Sequence, residues 1–349
     1  MTWQQQLADS ITSPEQLAGH FDIDPAPLRA VATRYPLLIT PHYLGLIDQP
    51  GDPIWRQCVP DLSELAVDDL PADSLNEQDY APVPAIVHRY PDRALLLVSG
   101  DCAGYCRFCT RKSRSGTRRL CFSRAEIDKG LAYISATAEI RDVILTGGEP
   151  LLLKDAYLGE ILNRIHQVDH VEMIRIGSRV PVTLPDRITP ELCRLLSHFQ
   201  PLYLNTHFNH PRELTAESAA ACARLADAGL PLGNQTVLLN GVNDSSGVMI
   251  ALCRGLLKMR VRPYYLHHLD QARGTSHFRV PVERGLKIIA GMRGQVSGLG
   301  IPQYVIDPPG GQGKVALLPE NLLEIGDSLR VQTSRGIVVL PNQRRREVF

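Results

Sequence analysis

Cys102, Cys106 and Cys109 stand in the order C-x3-C-x2-C. Three thiolates at that spacing suit a cubane iron–sulfur cluster and leave its fourth iron without a protein ligand. An open iron binds a small molecule, so the triplet points to chemistry rather than to plain electron transfer. A structural zinc site is the alternative. It needs four ligands, usually in two knuckles, and only one knuckle is present unless Cys121 completes a set. Two glycine-rich segments add further candidates. In Thr146-Gly147-Gly148-Glu149-Pro150 the glycines let the backbone pass close to a ligand, and Glu149 can accept from an ammonium group. The competing reading is an ordinary strand-to-loop turn. Pro309-Gly310-Gly311-Gln312-Gly313-Lys314 is not a phosphate-cradling Walker loop, because Pro308 and Val315 occupy positions that motif reserves for glycine and for Ser or Thr. Lys314 is either a solvated turn residue or an amine placed to form a Schiff base, as in pyridoxal phosphate (PLP) enzymes.

Composition narrows the classes. The chain has 349 residues with 37 basic and 37 acidic side chains, so neither a nucleic-acid footprint nor a polybasic membrane patch is expected. The first residues lack the basic and apolar regions of a signal peptide, and no apolar run approaches the ~20 residues of a membrane span. Eight cysteines scattered through element-like segments are not a disulfide framework. A reducing cytoplasm is therefore expected, with Cys58, Cys121, Cys193, Cys222 and Cys253 read as small buried hydrophobes.

The elements that must position these groups can be read from periodicity. Residues 1–84 suggest short helices, such as one capped by Ser13-Pro14-Glu15, followed by an acidic wrap of low helical content from about residue 60. Strand-like runs then begin near Ala94, Asp142, Met173, Leu202, Leu232 and Val261. After the first interval they recur about every 30 residues, the length of a βα unit. Ser123 opens a helix with a capping box, and Thr215 to Ala228 reads as another that ends at Gly229. No G-x-G-x-x-G follows the first strand, which disfavours a dinucleotide fold. The expected architecture is α/β: a partial (βα)6 TIM-like barrel over residues 85–300, with an N-terminal helical extension. Residues 301–349 should add a further strand-like run, Gln303 to Ile306, leading into the Gly-rich lysine loop, and a short C-terminal hairpin with a basic end at Arg344, Arg345 and Arg346. The distinctive polar residues fall at the C-terminal ends of the strand runs, where a parallel barrel builds its site.

From His88 to Lys314 the chain resembles the lysine 2,3-aminomutase family of PLP-dependent radical S-adenosylmethionine (SAM) enzymes. The anchors are CAGYCRFCTRK, LTGGEPL, RIGSRVPVTLPDRI, LNTHFNHPREL, LGNQTVLLNGVND, PYYLHHLD and VIDPPGGQGK. The resemblance implies that Cys102, Cys106 and Cys109 hold a [4Fe-4S] cluster and that Lys314 carries PLP. It places Gly147, Gly148, Glu149, Ser178, His207 and Gln235 around SAM, and Arg89, Tyr90 and Arg93 at the PLP phosphate. Arg111 matches the arginine that grips the substrate carboxylate, a task suited to a guanidinium fork. Asp270 and Asp307 match the two acidic residues that hold a distal ammonium group. Two carboxylates in one closed site repel unless a cation lies between them, so they select a basic amino acid.

The implied reaction interconverts L-lysine and β-lysine by radical-initiated 1,2-amino migration. It implies a small amino-acid substrate and an electron donor such as flavodoxin or ferredoxin, and it leaves a homo-oligomer open. His267 stands where lysine-type members often have Tyr, which leaves arginine as an alternative substrate. Supply of β-lysine for modifying elongation factor P is another reading, although that relative is less similar around Asp307. The family's long form has a C-terminal zinc-binding extension, which is not expected here because no cysteine follows Cys253. From a different class, an iron–sulfur electron-transfer module would need no PLP.

Overall fold

The structure is a computed structural model that describes residues 2–66, 69–114, 121–318, 321–325, 328–333 and 336–341. The N-terminal region carries five short helices, α1 (Trp3–Ala8), α2 (Pro14–Ala18), α3 (Ala26–Arg34), α4 (Pro41–Leu44) and α5 (Pro53–Cys58). Ser13 caps α2 with a capping box and Pro14 at its first turn. A single 3₁₀ turn, Leu62–Leu65, then leads into the irregular acidic segment before residue 85.

A nine-stranded sheet follows, with its strands in chain order. β1 (Ile86–Tyr90) and β2 (Arg93–Ser99) form an antiparallel hairpin at one edge. From β2 the sheet runs parallel through β3 (Asp142–Gly147), β4 (Met173–Gly177), β5 (Leu202–Thr206), β6 (Leu232–Val237), β7 (Val261–His267) and β8 (Gln303–Ile306). β9 (Val315–Ala316) returns antiparallel to β8. The six strand runs expected from the sequence are β2 to β7, and the further run expected at Gln303 to Ile306 is β8, which extends the parallel series by one. β1 was not anticipated, although Pro91-Asp92 between Tyr90 and Arg93 is a turn signal for a two-residue hairpin.

The crossovers contain α6 (Arg124–Ala136), α7 (Asp155–His166), α8 (Val180–Thr183), α9 (Pro190–Ser197), α10 (Ala216–Asp227), α11 (Ser246–Lys258) and α12 (Val282–Met292). Ser123 closes the expected capping box on α6, and Thr215 caps α10. Gly229 follows α10 with φ +85°, the left-handed conformation that makes glycine the favoured residue after a helix. Among the described residues no helix is long and apolar enough to cross a membrane.

Side-chain alternation along the strands builds two different surfaces. Leu96, Val143, Leu145, Ile174, Ile176 and Leu204 are buried against helix residues such as Leu131, Leu158, Ile161 and Leu192. The alternate positions, including Thr146, Arg175, Asn205, Gln235 and Tyr265, line a polar interior cavity. The outer sheet edges are joined there by side chains. Arg89 on β1 pairs with Asp307 after β8 at 2.9 Å, and the Tyr90 hydroxyl accepts from the Lys314 backbone N–H at 2.9 Å. The C-terminal segment is a three-stranded antiparallel sheet, β10 (Leu322–Ile325), β11 (Ser328–Thr333) and β12 (Gly336–Pro341), rather than the expected single hairpin. Arg344, Arg345 and Arg346 lie outside the described residues.

Candidate active site

The cysteine loop leaves the C-terminal end of β2. Cys102, Cys106 and Cys109 line one small cavity together with Tyr35, Pro36, Tyr105, Arg107 and Lys112. Burial raises the Cys102 thiol well above its ordinary value, and the neighbouring Cys109 and Cys106 push it further. Three thiols crowded into one cavity are the soft donors that iron takes. Among the described residues no three Cys, His or carboxylate side chains converge on a single metal ion. A cube does not require that, since each thiolate takes a different iron. Cys121 lines a separate cavity with Asp101 and Phe122, so it does not complete a zinc set with the triplet. It is also exposed, unlike Cys58, Cys193, Cys222 and Cys253, which corrects the expectation that all five remaining cysteines are buried.

The N-terminal region holds this loop by backbone and charge. Tyr105 and Arg107 donate their N–H groups to Leu38 O and Gln57 O at 3.1 and 2.9 Å. Glu64, fully buried, receives both Arg107, at 2.9 and 2.5 Å, and Lys112 Nζ, at 2.5 Å. Burial pulls the Lys112 amine down to about 8, and nearby Arg107 adds to this while Glu64 opposes it. Glu64→Gln would leave two buried cations without a counter-ion. A loss of about 3–5 kcal/mol is expected, read as a lowered urea midpoint.

The loop after β3 lies hard against the cysteine loop. Gly148 and Glu149 donate N–H bonds to Ser99 O and Asp101 O, both at 2.6 Å. A Cβ at Gly148 would stand 2.3 Å from Asp101 O, and Gly147 adopts φ +120°. Gly148→Ala must therefore move backbone. It should cost about 1–3 kcal/mol and reduce iron retained after anaerobic loading, measured by urea denaturation and iron assay.

Glu149 is buried and accepts from Leu151 N at 3.1 Å and Arg179 N at 2.8 Å. Burial raises its carboxyl to about 7, against hydrogen bonds from Ser178 and the backbone. Ser178 lies beside it, its Oγ accepting from Val180 N at 3.1 Å. His207, after β5, is half-buried with its ring 5.4 Å from Phe108, and its buried Nε2 has no hydrogen-bond partner. Burial holds that imidazole well below its ordinary value, so it is neutral. These residues gather at the strand ends near the cysteines, whereas Gln235 lines the interior cavity.

That cavity measures about 470 Å³, and Arg89, Tyr90, Arg93, Arg111, Gln235 and Lys314 all line it. Tyr90 lies between two guanidiniums, 4.9 Å from Arg89 and 4.8 Å from Arg93. Lys314 Nζ is 3.2 Å from Asp307 Oδ2, the oxygen that also receives Arg89. The remaining oxygen of Asp307, Oδ1, and one oxygen of Asp270, also Oδ1, are buried with no partner. An amine, a cationic wall and two buried carboxylate oxygens without donors fit PLP together with a substrate that carries a distal cation. His267 is neutral, pushed down to about 3 by burial and by Lys314.

Two further residues, Glu77 and Arg175, escaped the sequence reading as site residues. Glu77, in the acidic segment, grips Arg111 through Nε at 2.9 Å and Nη2 at 2.5 Å, and Arg114 at 2.5 Å. Despite its burial, those two guanidiniums hold its carboxyl at about 2. Arg175 projects into the cavity from β4, paired with Asp142 at 2.5 Å. An arginine inside MIRIG was a usable signal for an inward polar position. Arg179, discussed below, reaches Cys106.

Similarity to known proteins agrees with this geometry. Residues 96–252 match the model of the Radical SAM superfamily, and residues 289–337 match that of Lysine-2,3-aminomutase. The chain is 46% identical over 327 residues to an L-lysine 2,3-aminomutase of Fusobacterium nucleatum, covering 92% of this chain and 77% of that protein. It is 45% identical over 344 residues to that of Clostridium subterminale, covering 96% and 82%. A glutamate 2,3-aminomutase of Clostridioides difficile is 42% identical over 340 residues, covering 96% and 81%. The chain belongs to the lysine 2,3-aminomutase family, radical SAM isomerases that work with a [4Fe-4S] cluster, SAM and PLP.

Proposed function

We propose that the protein interconverts L-lysine and β-lysine, moving the amino group between Cα and Cβ. Relatives named for lysine and for glutamate are almost equally similar, so identity does not choose the substrate. The observation that carries lysine is the pair of carboxylates, Asp270 and Asp307, each with one buried oxygen lacking a donor. A distal ammonium satisfies both oxygens, whereas the side-chain carboxylate of glutamate would add a third negative charge. When bound, the cofactors supply one-electron chemistry, hydrogen-atom transfer and an aldehyde that bonds amines.

The residues divide the remaining work. Cys102, Cys106 and Cys109 hold the cluster, and Gly147, Gly148, Glu149, Ser178, His207 and Gln235 surround SAM. Lys314 is the amine that anchors PLP, with Arg89, Tyr90 and Arg93 at its phosphate. Arg111, steadied by Glu77, receives the substrate α-carboxylate. Lys314 gives up its contact with Asp307 when it bonds elsewhere, and the substrate ammonium takes that place. Asp270 releases its proton as the cation arrives. The electron comes from a separate low-potential protein of the flavodoxin or ferredoxin kind. The cavity holds the reacting atoms close to one another.

The test is anaerobic turnover of isotopically labelled lysine, arginine and glutamate with SAM and reductant, followed by product identification. β-Lysine as the main product is expected. β-Arginine or β-glutamate as the main product would overturn the assignment.

A further inference from the structure

The sulfur of Cys106 meets a cation. Arg179, just beyond β4, donates from Nη1 to Cys106 Sγ at 2.8 Å. Its other nitrogens are tied to three separate parts of the chain. Nε donates to His207 O at 3.2 Å, while Nη2 donates to Tyr43 Oη at 3.1 Å, Gln57 Oε1 at 2.7 Å and Glu213 Oε1 at 2.9 Å. The guanidinium lies 5.3 Å from the ring centres of both Tyr43 and Phe108. Glu213 is completely buried and is fixed by Tyr43 Oη at 2.6 Å and by the N–H groups of Asn209 and His210. The guanidinium therefore cannot swing away, and its charge is poorly screened by water.

We propose that Arg179 sets the reduction potential of the cluster through the Cys106 sulfur. The inference rests on reading the three cysteines as cluster ligands. Reduction adds one electron from an external low-potential donor and no proton, and Arg179 stays protonated throughout. The added negative charge spreads onto the thiolate sulfurs. A hydrogen bond from a fixed cation stabilises the reduced cube more than the oxidised one and raises the potential. Glu213, on the far side of the guanidinium, opposes this field. Arg179 and Glu213 should thus act with opposite sign.

The experiment is an EPR-monitored redox titration of the full chain, anaerobically loaded with iron and sulfide, without SAM or PLP. Arg179→Gln should lower the midpoint enough to cut the reduced-to-oxidised ratio about tenfold at a fixed potential, a shift of roughly 59 mV for one electron. Arg179→Lys keeps the charge but loses the fork, so a smaller drop is expected. Glu213→Gln should move the midpoint upward. Loss of packing alone would change iron content or melting temperature without opposed midpoint shifts. If Arg179→Gln retains no cluster, Arg179→Lys and Glu213→Gln decide the matter. Loaded variants that titrate with the wild type, or that all shift the same way, overturn the proposal. A wild-type chain that takes up no cluster, or a Cys106→Ala chain that loads like wild type, would instead defeat the reading of the cysteines.

Discussion

Lys314→Ala is expected to abolish turnover and to remove an absorbance band at roughly 420 nm that follows PLP addition to the wild type, because the amine that bonds the aldehyde is gone. Lys314 lines the same cavity as Arg89, Tyr90 and Arg93, so a phosphate and an aldehyde on one ring can reach both groups. The loop that carries it is tightly placed. A Cβ at Gly311 would lie 2.5 Å from Tyr80 Cε2, and the Tyr80 hydroxyl donates to Gly310 O at 3.3 Å. The acidic N-terminal segment thus clamps the lysine loop. Activity should fall by several orders of magnitude, as when a covalent catalytic group is deleted, while iron content stays at the wild-type level. A variant that keeps the band would show that another amine binds PLP.

Asp270 carries the second large effect, and its sign differs between binding and stability. Burial raises its carboxyl from 3.8 to about 7, with Asp307 adding to the rise and Lys314 and Arg89 opposing it. In the ligand-free chain the folded state holds that proton more tightly than the unfolded one. The associated stability is complete below pH 4 and is lost as pH rises through about 7, amounting to about 4 kcal/mol at most. Asp270→Asn removes the penalty, so the ligand-free variant should exceed the wild type in stability above pH 7. Lysine binding runs the other way. A substrate ammonium needs the ionised carboxylate, so wild-type affinity should rise about tenfold per pH unit up to about 7 and then level off. Asp270→Asn should weaken lysine about a hundredfold and flatten that profile. Calorimetric titrations across pH 5–9 and urea midpoints of the same samples separate the two. A pH-independent affinity in the wild type would remove Asp270 from substrate binding.

Much of the fold was legible because its signals are local. The strand runs β2 to β7, the capping boxes of α2 and α6, and Gly229 after α10 depend on residues a few positions apart. The C-x3-C-x2-C spacing and the Gly147-Gly148 pair are likewise properties of one loop each. The short strand β1 and the three-stranded C-terminal sheet were less clear, because a few residues carry little period and pairing depends on distant partners.

Charge partners could not be read at all. Glu64 and Glu77 sit in an acidic wrap with little periodicity, yet each is buried against cations 34 to 48 positions later in the chain. Arg179 reads as one basic residue after a strand, and only the fold brings it to a sulfur 73 positions earlier. Residue type and spacing along the chain determined which groups this protein has for chemistry. Tertiary packing decided which of them lose water, and for an ionisable side chain that loss sets its partner, its charge and its use.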